Sequence, residues 1–388
     1  GRIFNIGDTK ENFCIQSCSK TLTYAVALRD NGIDTVNKHI GREPSGARFN
    51  AFIFDEDNKP FNPLINSGAI MAASLIRKNE TEDKRFEYIV DIWKSIVGKK
   101  NVGFDNPVYL SEKRSANRNH ALAHLMMENN VFPEDTEINT TLEFYFQLCS
   151  ITMNSESLAK YAAMLANGGT TVDTKIKIFD PKIVRDLLCI MYTSGMYDYS
   201  GRWSFDIGLP AKSGVSGAIF AVIPNIGGVC VYSPKLDAMG NSVRGVEFFK
   251  MLTQRYKLHI FDTLIKCIDN KKSILKVNKS KLVLLYEACQ FDNISLLKDL
   301  IYNDNIDINE GDYDKRYPLH IAIDDSNYES AYILLLNGAN YKEIDRWGNS
   351  MHKLMINQNK QLIALFLLVK YNYLKKYSCF ITLKNVLF

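Results

Sequence analysis

The stretch GLPAKSGVSG (208–217) contains the triplet Lys212-Ser213-Gly214, and no second Lys-[Ser/Thr]-Gly triplet occurs in the chain. It runs directly into AIFAVI (218–223), whose β-branched and aromatic residues predict a strand. A second such run, GVCVY (228–232), follows the turn residues PNIG (224–227), so a hairpin is expected here. A triplet of this kind places a cation and a backbone N–H beside the surface that its strand faces.

A second motif, Ser17-x-x-Lys20, gives the triplet a chemical meaning. Serine hydrolases that combine the two motifs use the serine to attack an acyl carbon, and the lysine takes or relays the serine proton. Ser17 precedes the apolar run TLTYAVAL (21–28), so it is predicted to lie in the first turn of a buried helix. The helix dipole would favour an alkoxide there, and Lys20 would lie one turn later on the same face.

Short motifs of this kind carry little information by themselves. Ser-x-x-Lys also occurs at Ser157/Lys160, Ser273/Lys276, Ser295/Lys298 and Ser350/Lys353. The combination of Ser17 and Lys20 with the triplet at 212–214 is what favours an acyl-transfer site. That Ser17 merely caps the helix is an open alternative.

A more specific signal comes from segments that follow one another in chain order: FCIQSCSKTLTYAVAL (13–28), GREPSGARFN (41–50), NKPFNPLINSGAI (58–70), FYFQLCSI (144–151), LANGG (165–169), SGMYDYSG (194–201), GLPAKSGVSG (208–217) and SPKLDAMGNSVRG (233–245). Together they resemble the animal glutaminases of the kidney and liver type, serine-dependent enzymes that convert glutamine to glutamate. The match runs from about Ile6 to Phe249. The resemblance implies an α+β catalytic domain of the β-lactamase-like, penicillin-binding-like fold, a serine acyl-enzyme, and no metal or organic cofactor.

The resemblance also implies a division of the chain into a glutaminase catalytic domain (1–255), a basic linker (256–280), α-helical ankyrin repeats (281–373) and a tail without an assigned role (374–388). The lysines of the linker suit a solvated segment better than a polyanion site. Apolar positions recur about every 33 residues in the third part, which is the ankyrin period. PLHIA (318–322) resembles the core of that repeat, so His320 and His352 are interpreted as structural rather than metal-binding.

Apolar periodicity predicts the secondary structure of the first part. Helices are expected at 17–30, 64–78, 83–97, 115–129, 141–149, 155–167 and 181–192. Strands are expected at 3–6, 218–223 and 228–232. These elements fit a small antiparallel sheet beside a cluster of helices.

The composition fits an ordinary globular protein, with 46% apolar and 23% charged residues. A net charge of +4 gives no reason to expect a nucleic-acid ligand. No apolar run reaches the ~18 residues that span a bilayer, and LIALFLLV (362–369) is interpreted as a packed helix. The 8 cysteines show neither a Cys-x-x-Cys nor a zinc spacing, which is typical of a reducing compartment. The chain opens without methionine and is interpreted as the interior of a longer protein.

By resemblance, the groups that hold the amino-acid end of glutamine fall on Asn66, Glu112, Asn119, Tyr145, Tyr197 and Val215. Free glutamine has an ammonium, for which Glu112 is a counter-charge, and a carboxylate, which amides and hydroxyls can bind. Val215 can act only through its backbone N–H, which would form an oxyanion hole together with that of Ser17. The triplet at 212–214 is expected to support this hole.

Several of these residues also have an ordinary structural explanation. Asn66 could cap a helix, and Tyr145 could be a core residue of LEFYFQL (142–148). Glu112 and Asn119 would share a face only if one helix covered both. Tyr197 is the expected proton donor to the leaving ammonia, because a nearby lysine can lower the pKa of a phenol.

The chain departs from the family in ways that bear on activity. The family has a further substrate-site tyrosine and a strand upstream of residue 1, so the resemblance implies an N-terminally truncated chain. Thr21 stands where the animal enzymes have proline, which is a mild change in the first turns of a helix. The Ser-Asp-Asn element of β-lactamases is absent, as it is in glutaminases, and Tyr145 or Tyr197 is expected to do part of its work.

The segment GARFNAFIFDEDNKPFNP (46–63) has an apolar centre that includes Phe49 and Phe52. The residues alone allow either a buried strand or an oligomer contact. In the animal enzymes the matching loop lies near the catalytic site at a subunit contact, and phosphate activates those enzymes as they assemble into tetramers. The resemblance therefore implies a homotetramer, phosphate as an activator, and a loop that couples the two. It also implies a mitochondrial location, with the cytosol as the alternative.

Two other functions are open at this point. The chain could be another β-lactamase-like acyl-serine hydrolase that acts on a peptide or lactam, although residues for free amino-acid ends argue against it. It could also be a catalytically inert scaffold whose ankyrin repeats bind a protein, and the missing upstream tyrosine favours this reading for the present chain.

Overall fold

The computed structural model describes residues 2–264, 271, 281–304, 306–312 and 314–349. The chain divides into two compact units, one made mainly of residues 1–263 and one made mainly of residues 275–388. Within the described ranges, no helix is both long and apolar enough to cross a lipid bilayer. Several predictions fall outside these ranges: most of the linker, the motifs at Ser273/Lys276 and Ser350/Lys353, the repeat with His352, the run 362–369 and the tail 374–388.

Helices make up most of the first unit. In chain order they are α1 (Ser19–Asn31), α2 (Ile33–His39), α3 (Asn66–Ser74), α4 (Glu82–Val97), α5 (Asn106–Arg114), α6 (Asn117–Glu128), α7 (Ile138–Cys149), α8 (Ser155–Ala166), α9 (Pro181–Ser194), α10 (Ser200–Asp206) and α11 (Val243–Arg255). The strands are β1 (Phe13–Cys14), β2 (Gly103–Phe104), β3 (Ile151–Met153), β4 (Ala211–Gly214), β5 (Ala218–Ile223) and β6 (Gly227–Tyr232). They form two antiparallel sheets with the orders β1-β3-β2 and β4-β5-β6.

The predicted hairpin is confirmed, with β5 at the predicted residues and β6 starting one residue earlier. Its register runs from Ala218 opposite Tyr232 to Ile223 opposite Gly227. All of β5 is buried, as the apolar run AIFAVI requires. Helix α8 packs directly on β6 because Gly228 has no side chain, and a Cβ there would lie 2.4 Å from the Ala159 carbonyl oxygen. This sheet is therefore held firmly against the helical part of the unit.

Helix α1 lies at the centre of the first unit, since every residue from Ser19 to Leu28 is buried. It packs against α3 and α9. Polar side chains on such a helix need partners inside the protein. The Thr21 hydroxyl donates to the Cys18 carbonyl at 2.8 Å and accepts from the Tyr161 hydroxyl at 3.1 Å. Threonine in place of the family's proline is thus accommodated without an unpaired hydroxyl.

The predicted helices of the first unit are confirmed, with ends that shift by up to four residues. The structure adds α2, α5, α10 and α11 and the short strands β1 to β4. The strand predicted at residues 3–6 is wrong. These residues pair with no strand in the described part of the chain, and Phe4 is 84% exposed. An extended segment becomes a strand only when a neighbour accepts and donates its backbone hydrogen bonds.

The described part of the second unit contains two helix pairs, α12 (Lys281–Gln290) with α13 (Ile294–Tyr302) and α14 (Pro318–Asp324) with α15 (Tyr328–Leu336). The second helices of the two pairs begin 34 residues apart. The pairs stack through equivalent loops, because Asn327 Nδ2 donates to the Cys289 carbonyl at 2.8 Å. His320 is buried, and its Nδ1 accepts from the Tyr317 backbone N–H at 3.1 Å. His320 therefore has the structural role that the sequence predicts.

Candidate active site

Ser17 lies in a tight 3-10 turn, Gln16–Cys18, immediately ahead of α1 rather than inside its first turn. The side chain is 8% exposed. The capping alternative is wrong, because the cap positions of the turn and of α1 are Ile15 and Cys18. Gln16 has a φ of +49°, a left-handed conformation that bulky residues avoid unless the surrounding structure holds it. The strained residue thus fixes the direction in which the next side chain, Ser17, points.

The Ser17 turn and the triplet at 212–214 are in direct contact, as their pairing in the sequence predicts. Gly214 makes this approach feasible, since a Cβ there would lie 2.9 Å from the Ile15 carbonyl oxygen and 3.2 Å from Cys18 Sγ. The Cys18 thiol also donates to the Lys212 carbonyl at 3.8 Å. The residues on both sides of Ser17 therefore lock its turn to strand β4.

Lys20 is buried one helical turn beyond Ser17. Its ammonium donates to Asn66 Oδ1 at 2.6 Å and to the Leu64 carbonyl at 3.4 Å. Within the described ranges no carboxylate forms an ion pair with it. Burial lowers the pKa of Lys20 to about 8, although the negative charge of Glu112 acts in the opposite direction. A lysine with this pKa can both accept and return a proton near neutral pH.

Asn66 is the hub of a polar network. It starts α3, but its side chain makes no capping bond, so the capping alternative is wrong here as well. In addition to the bond from Lys20, Asn66 Oδ1 accepts from the Tyr145 hydroxyl at 3.3 Å, and Asn66 Nδ2 donates to Asn119 Oδ1 at 3.0 Å. Tyr145 is a core residue by burial, as the structural alternative holds, and its hydroxyl nevertheless belongs to this network. Three predicted site residues therefore meet beside Lys20.

Glu112 reaches the site from a different element than the sequence predicts. Helix α5 ends at Arg114 and α6 begins at Asn117, so Glu112 and Asn119 do not share a helix. The Glu112 carboxylate accepts from Gln16 Nε2 at 3.3 Å, next to Ser17. Gln16 is a site residue that sequence reasoning missed, because only the folded turn brings its amide to Glu112.

Tyr197 is in contact with Ser17. Its hydroxyl donates to the Ser213 carbonyl at 3.0 Å and is hydrogen-bonded with the Ser17 side chain. The prediction of a lowered pKa is wrong, because burial raises the pKa of the Tyr197 phenol. Lys212 Nζ lies 4.3 Å from the centre of the ring, over its face, and so does not pair with the phenol oxygen. Tyr197 consequently stays protonated and can donate a proton.

Lys212 is a second buried lysine at this site. Its ammonium donates to the Ser213 carbonyl at 2.7 Å. Burial and then the neighbouring Lys20 lower the pKa of Lys212 to about 7. Beyond the triplet, Val215 is 41% exposed, in a turn closed by a 2.9 Å bond from Gly217 N–H to the Gly214 carbonyl.

The segment 46–63 forms an irregular loop beside Tyr197, so the buried-strand alternative is wrong. The Phe49 ring lies 4.9 Å from the Tyr197 ring, a contact that no pattern in the sequence predicts. Phe52 is 47% exposed and lies under the Arg118 guanidinium at 4.9 Å. Phe49, Arg118 and Tyr197 border an open cavity of about 760 Å³.

Residues 1–261 match the family model described as Glutaminase. Putative glutaminase 2 of Caenorhabditis elegans is 42% identical over 358 residues, which cover 90% of this chain and 58% of that protein. The mitochondrial liver isoform of glutaminase from Mus musculus is 37% identical over 353 residues, with coverage of 90% and 58%. The chain thus spans a little over half the length of these curated relatives.

Solved bacterial structures share the fold of the first unit. The Bacillus subtilis probable glutaminase superposes with a TM-score of 0.63 at 32% identity, covering 66% of this chain and 85% of that one. Mglu in its tris and glutamate form superposes with a TM-score of 0.64 at 34% identity, covering 68% and 58%. The fold is therefore the mixed α/β fold of these enzymes. Sequence match and fold agree with the arrangement around Ser17, and the chain belongs to the glutaminase family.

Proposed function

We propose that this chain hydrolyses L-glutamine to L-glutamate and ammonia through an acyl-enzyme on Ser17. One observation carries the proposal: the Ser17 side chain is hydrogen-bonded with Tyr197, whose phenol burial keeps protonated, and the buried Lys20, whose pKa is lowered to about 8, follows one helical turn later. Such a serine has a proton donor in contact with it and a proton acceptor on the same helical segment. Relatives at 37–42% identity that are named glutaminases support the substrate.

In the first step, Ser17 Oγ attacks the side-chain amide carbon of glutamine, and its proton passes to neutral Lys20, directly or through Tyr197. The new oxyanion is held by the backbone N–H groups of Ser17 and Val215, with the triplet at 212–214 as their support. The C–N bond then breaks, and the leaving nitrogen takes a proton from Tyr197 to depart as ammonia. Water finally attacks the ester carbon and gives a proton to the Tyr197 phenolate, while Ser17 Oγ leaves with the proton held by Lys20. Glutamate is released, and Ser17, Lys20 and Tyr197 return to their starting protonation states.

The amino-acid end of the substrate is proposed to lie against the polar network. Glu112 is half-buried, and its hydrogen bond from Gln16 is long at 3.3 Å. The carboxylate can therefore still accept hydrogen bonds from an ammonium. The hydroxyl of Tyr145 and the amides of Asn66 and Asn119 are neutral groups suited to a carboxylate. Because these groups lie beside Ser17, an amino acid held by them presents its side chain to the nucleophile.

For the rest of the molecule, the proposal follows the family. The helix pairs of the second unit, with second helices 34 residues apart, support ankyrin repeats that bind a protein partner. A homotetramer activated by phosphate is proposed together with a mitochondrial location, in keeping with liver relatives that are named mitochondrial. The reaction requires no metal or organic cofactor, since protein groups supply every proton and the nucleophile.

Replacing Ser17 with alanine should abolish ammonia release while the fold persists. The change removes one hydroxyl that caps nothing, and loss of a covalent nucleophile costs on the order of 10³-fold or more in kcat. Ser295→Ala is the control, because Ser295 belongs to an unrelated Ser-x-x-Lys and is exposed. A Ser17 variant that keeps a tenth of the activity would rule out Ser17 as the nucleophile. Hydrolysis of nitrocefin without activity on glutamine would favour the lactam alternative.

The activity should depend on pH through Lys20. Lys20 must be neutral to accept a proton, and its pKa of about 8 makes it mostly charged at pH 7. We therefore expect kcat/KM to rise about eightfold between pH 7 and 8.5 and then level off. The rise should persist in Lys212→Met, which removes the other lysine of lowered pKa. A flat profile in the wild type, or a rise that disappears with Lys212, would contradict the assignment to Lys20.

Glu112→Gln should weaken the use of glutamine by removing the counter-charge of its ammonium. A charge-assisted hydrogen bond contributes about 1.5–3 kcal/mol, so kcat/KM should fall by a factor of roughly 10–100. The exposed Glu87 on α4, changed to glutamine, serves as the matched control. An unchanged kcat/KM would remove Glu112 from the substrate site.

The loop 46–63 should couple assembly to activity. Phe49 contacts Tyr197, and Phe52 offers an exposed ring to a partner subunit. The double variant Phe49→Ser with Phe52→Ser should sediment as a smaller species and lose activation by phosphate, without loss of thermal stability. Normal assembly and a normal phosphate response at matched concentration would exclude the loop from regulation.

A further inference from the structure

Tyr197 is held in an unfavourable backbone conformation. Its φ is +53°, in the left-handed region that a bulky side chain avoids. Such conformations persist only where the surroundings hold them, and they cluster at functional sites. Here the consequence is geometric, because this backbone directs the phenol to the point between Ser17 and the Ser213 carbonyl.

The Ser200 hydroxyl is hydrogen-bonded to the backbone on both sides of the Tyr197 Cα. It accepts from the Met196 backbone N–H at 3.0 Å and donates to the Tyr197 carbonyl at 2.7 Å. Ser200 is 6% exposed, so water does not compete strongly for these bonds. The hydroxyl thus uses both its proton and a lone pair on the backbone beside Tyr197.

Asn241 holds the Met196–Tyr197 peptide, which lies between the two backbone groups that Ser200 contacts. It is fully buried, and its Nδ2 donates to the Met196 carbonyl at 3.3 Å. Asn241 is itself fixed by Asp237, whose Oδ1 accepts from the Asn241 backbone N–H at 2.9 Å. The next residue back, Gly240, faces the Tyr197 ring so closely that a Cβ would lie 3.7 Å from it. The loop 237–241 thus supports both the backbone and the ring of Tyr197.

We propose that Ser200 and Asn241 are positioning residues that hold Tyr197 in its left-handed conformation and so keep its phenol beside Ser17. The inference rests on the proposed function of Tyr197 as proton donor to the leaving ammonia. Without these bonds the backbone relaxes to a negative φ, and the phenol leaves the reacting atoms. The Asn241 Oδ1 atom supports this reading, because it is buried and lacks a partner among the described residues. An unpaired acceptor does not favour stability, so stability alone does not explain an asparagine here.

The test compares two substrates whose leaving groups differ in their need for a proton. L-Glutamine must have its leaving nitrogen protonated, whereas the γ-(4-nitrophenyl) ester of L-glutamate releases a stable phenolate. Ser200→Ala and Asn241→Leu should each lower kcat/KM for glutamine about tenfold or more, which is the scale of a small misplacement. The same variants should change the ester reaction far less. Tyr197→Phe is the reference, since it removes the proton donor itself.

The control is Ser74→Ala, which removes an equally buried hydroxyl that donates to the Met71 carbonyl at 2.7 Å, away from Tyr197. It should leave the ratio of kcat/KM for glutamine to kcat/KM for the ester unchanged. Ser200→Thr keeps the hydroxyl and should restore the wild-type ratio. Asn241→Asp keeps the shape but, when ionised, places an acceptor-only carboxylate opposite the Met196 carbonyl, so it carries the test for Asn241 if the leucine variant does not fold.

Equal losses on both substrates, or no loss on glutamine, would overturn the inference. The proposed function would stand in that case if Tyr197→Phe still lost more kcat/KM on glutamine than on the ester. If Tyr197→Phe lost the same factor of kcat/KM on both substrates, Tyr197 would not be the proton donor, and the positioning role of Ser200 and Asn241 would be wrong as well. If the wild-type protein released no ammonia from glutamine, the proposed function itself would fail.

Discussion

The contact between the Ser17 turn and strand β4 is the constraint on which the rest of the site depends. It exists because Gly214 has no side chain where the Ile15 carbonyl approaches within 2.9 Å of the position of a Cβ. Any other residue would push the turn away from the strand. Everything that acts on Ser17 is positioned relative to this contact. Lys20 lies on helix α1, which begins directly after the Ser17 turn, and the Tyr197 hydroxyl donates to the Ser213 carbonyl of the strand.

The same arrangement leaves two buried lysines without ion-pair partners in the described part of the chain. Burying a cation in this way is unfavourable, and the lowered pKa values of Lys20 and Lys212 express that cost. A carboxylate beside either lysine would stabilise the fold but would raise its pKa and keep it charged. The site is therefore less stable than one with paired lysines would be, but its lysines can exchange protons near neutral pH. Tyr197 is shifted the other way by burial and stays protonated, so one environment produces an acceptor and a donor.

How far the sequence predicts this structure depends on the kind of feature. The hairpin at 218–232 and the helices with long apolar periods follow from local pattern, and their positions are confirmed. Motif pairing predicts that Ser17 and the triplet at 212–214 meet, and resemblance identifies Asn66, Asn119 and Tyr145, which share one network. The left-handed residues Gln16 and Tyr197 could not be predicted, because tertiary contacts impose their conformation. The direction of the Tyr197 pKa shift also required the structure, since it depends on how deeply the fold buries the phenol.

The break between α5 and α6 has a geometric consequence for recognition. Glu112 lies near the end of one helix and Asn119 near the start of the next, with Ser115 and Ala116 between the two helices. In the proposed complex, the positive and negative ends of the substrate are thus held by two separate helices. A ligand that carries both charges on one carbon contacts both helices at once. An amine or a carboxylic acid alone would contact one helix and leave the polar side chain of the other without its partner, so two elements of the fold must be satisfied by a single small molecule.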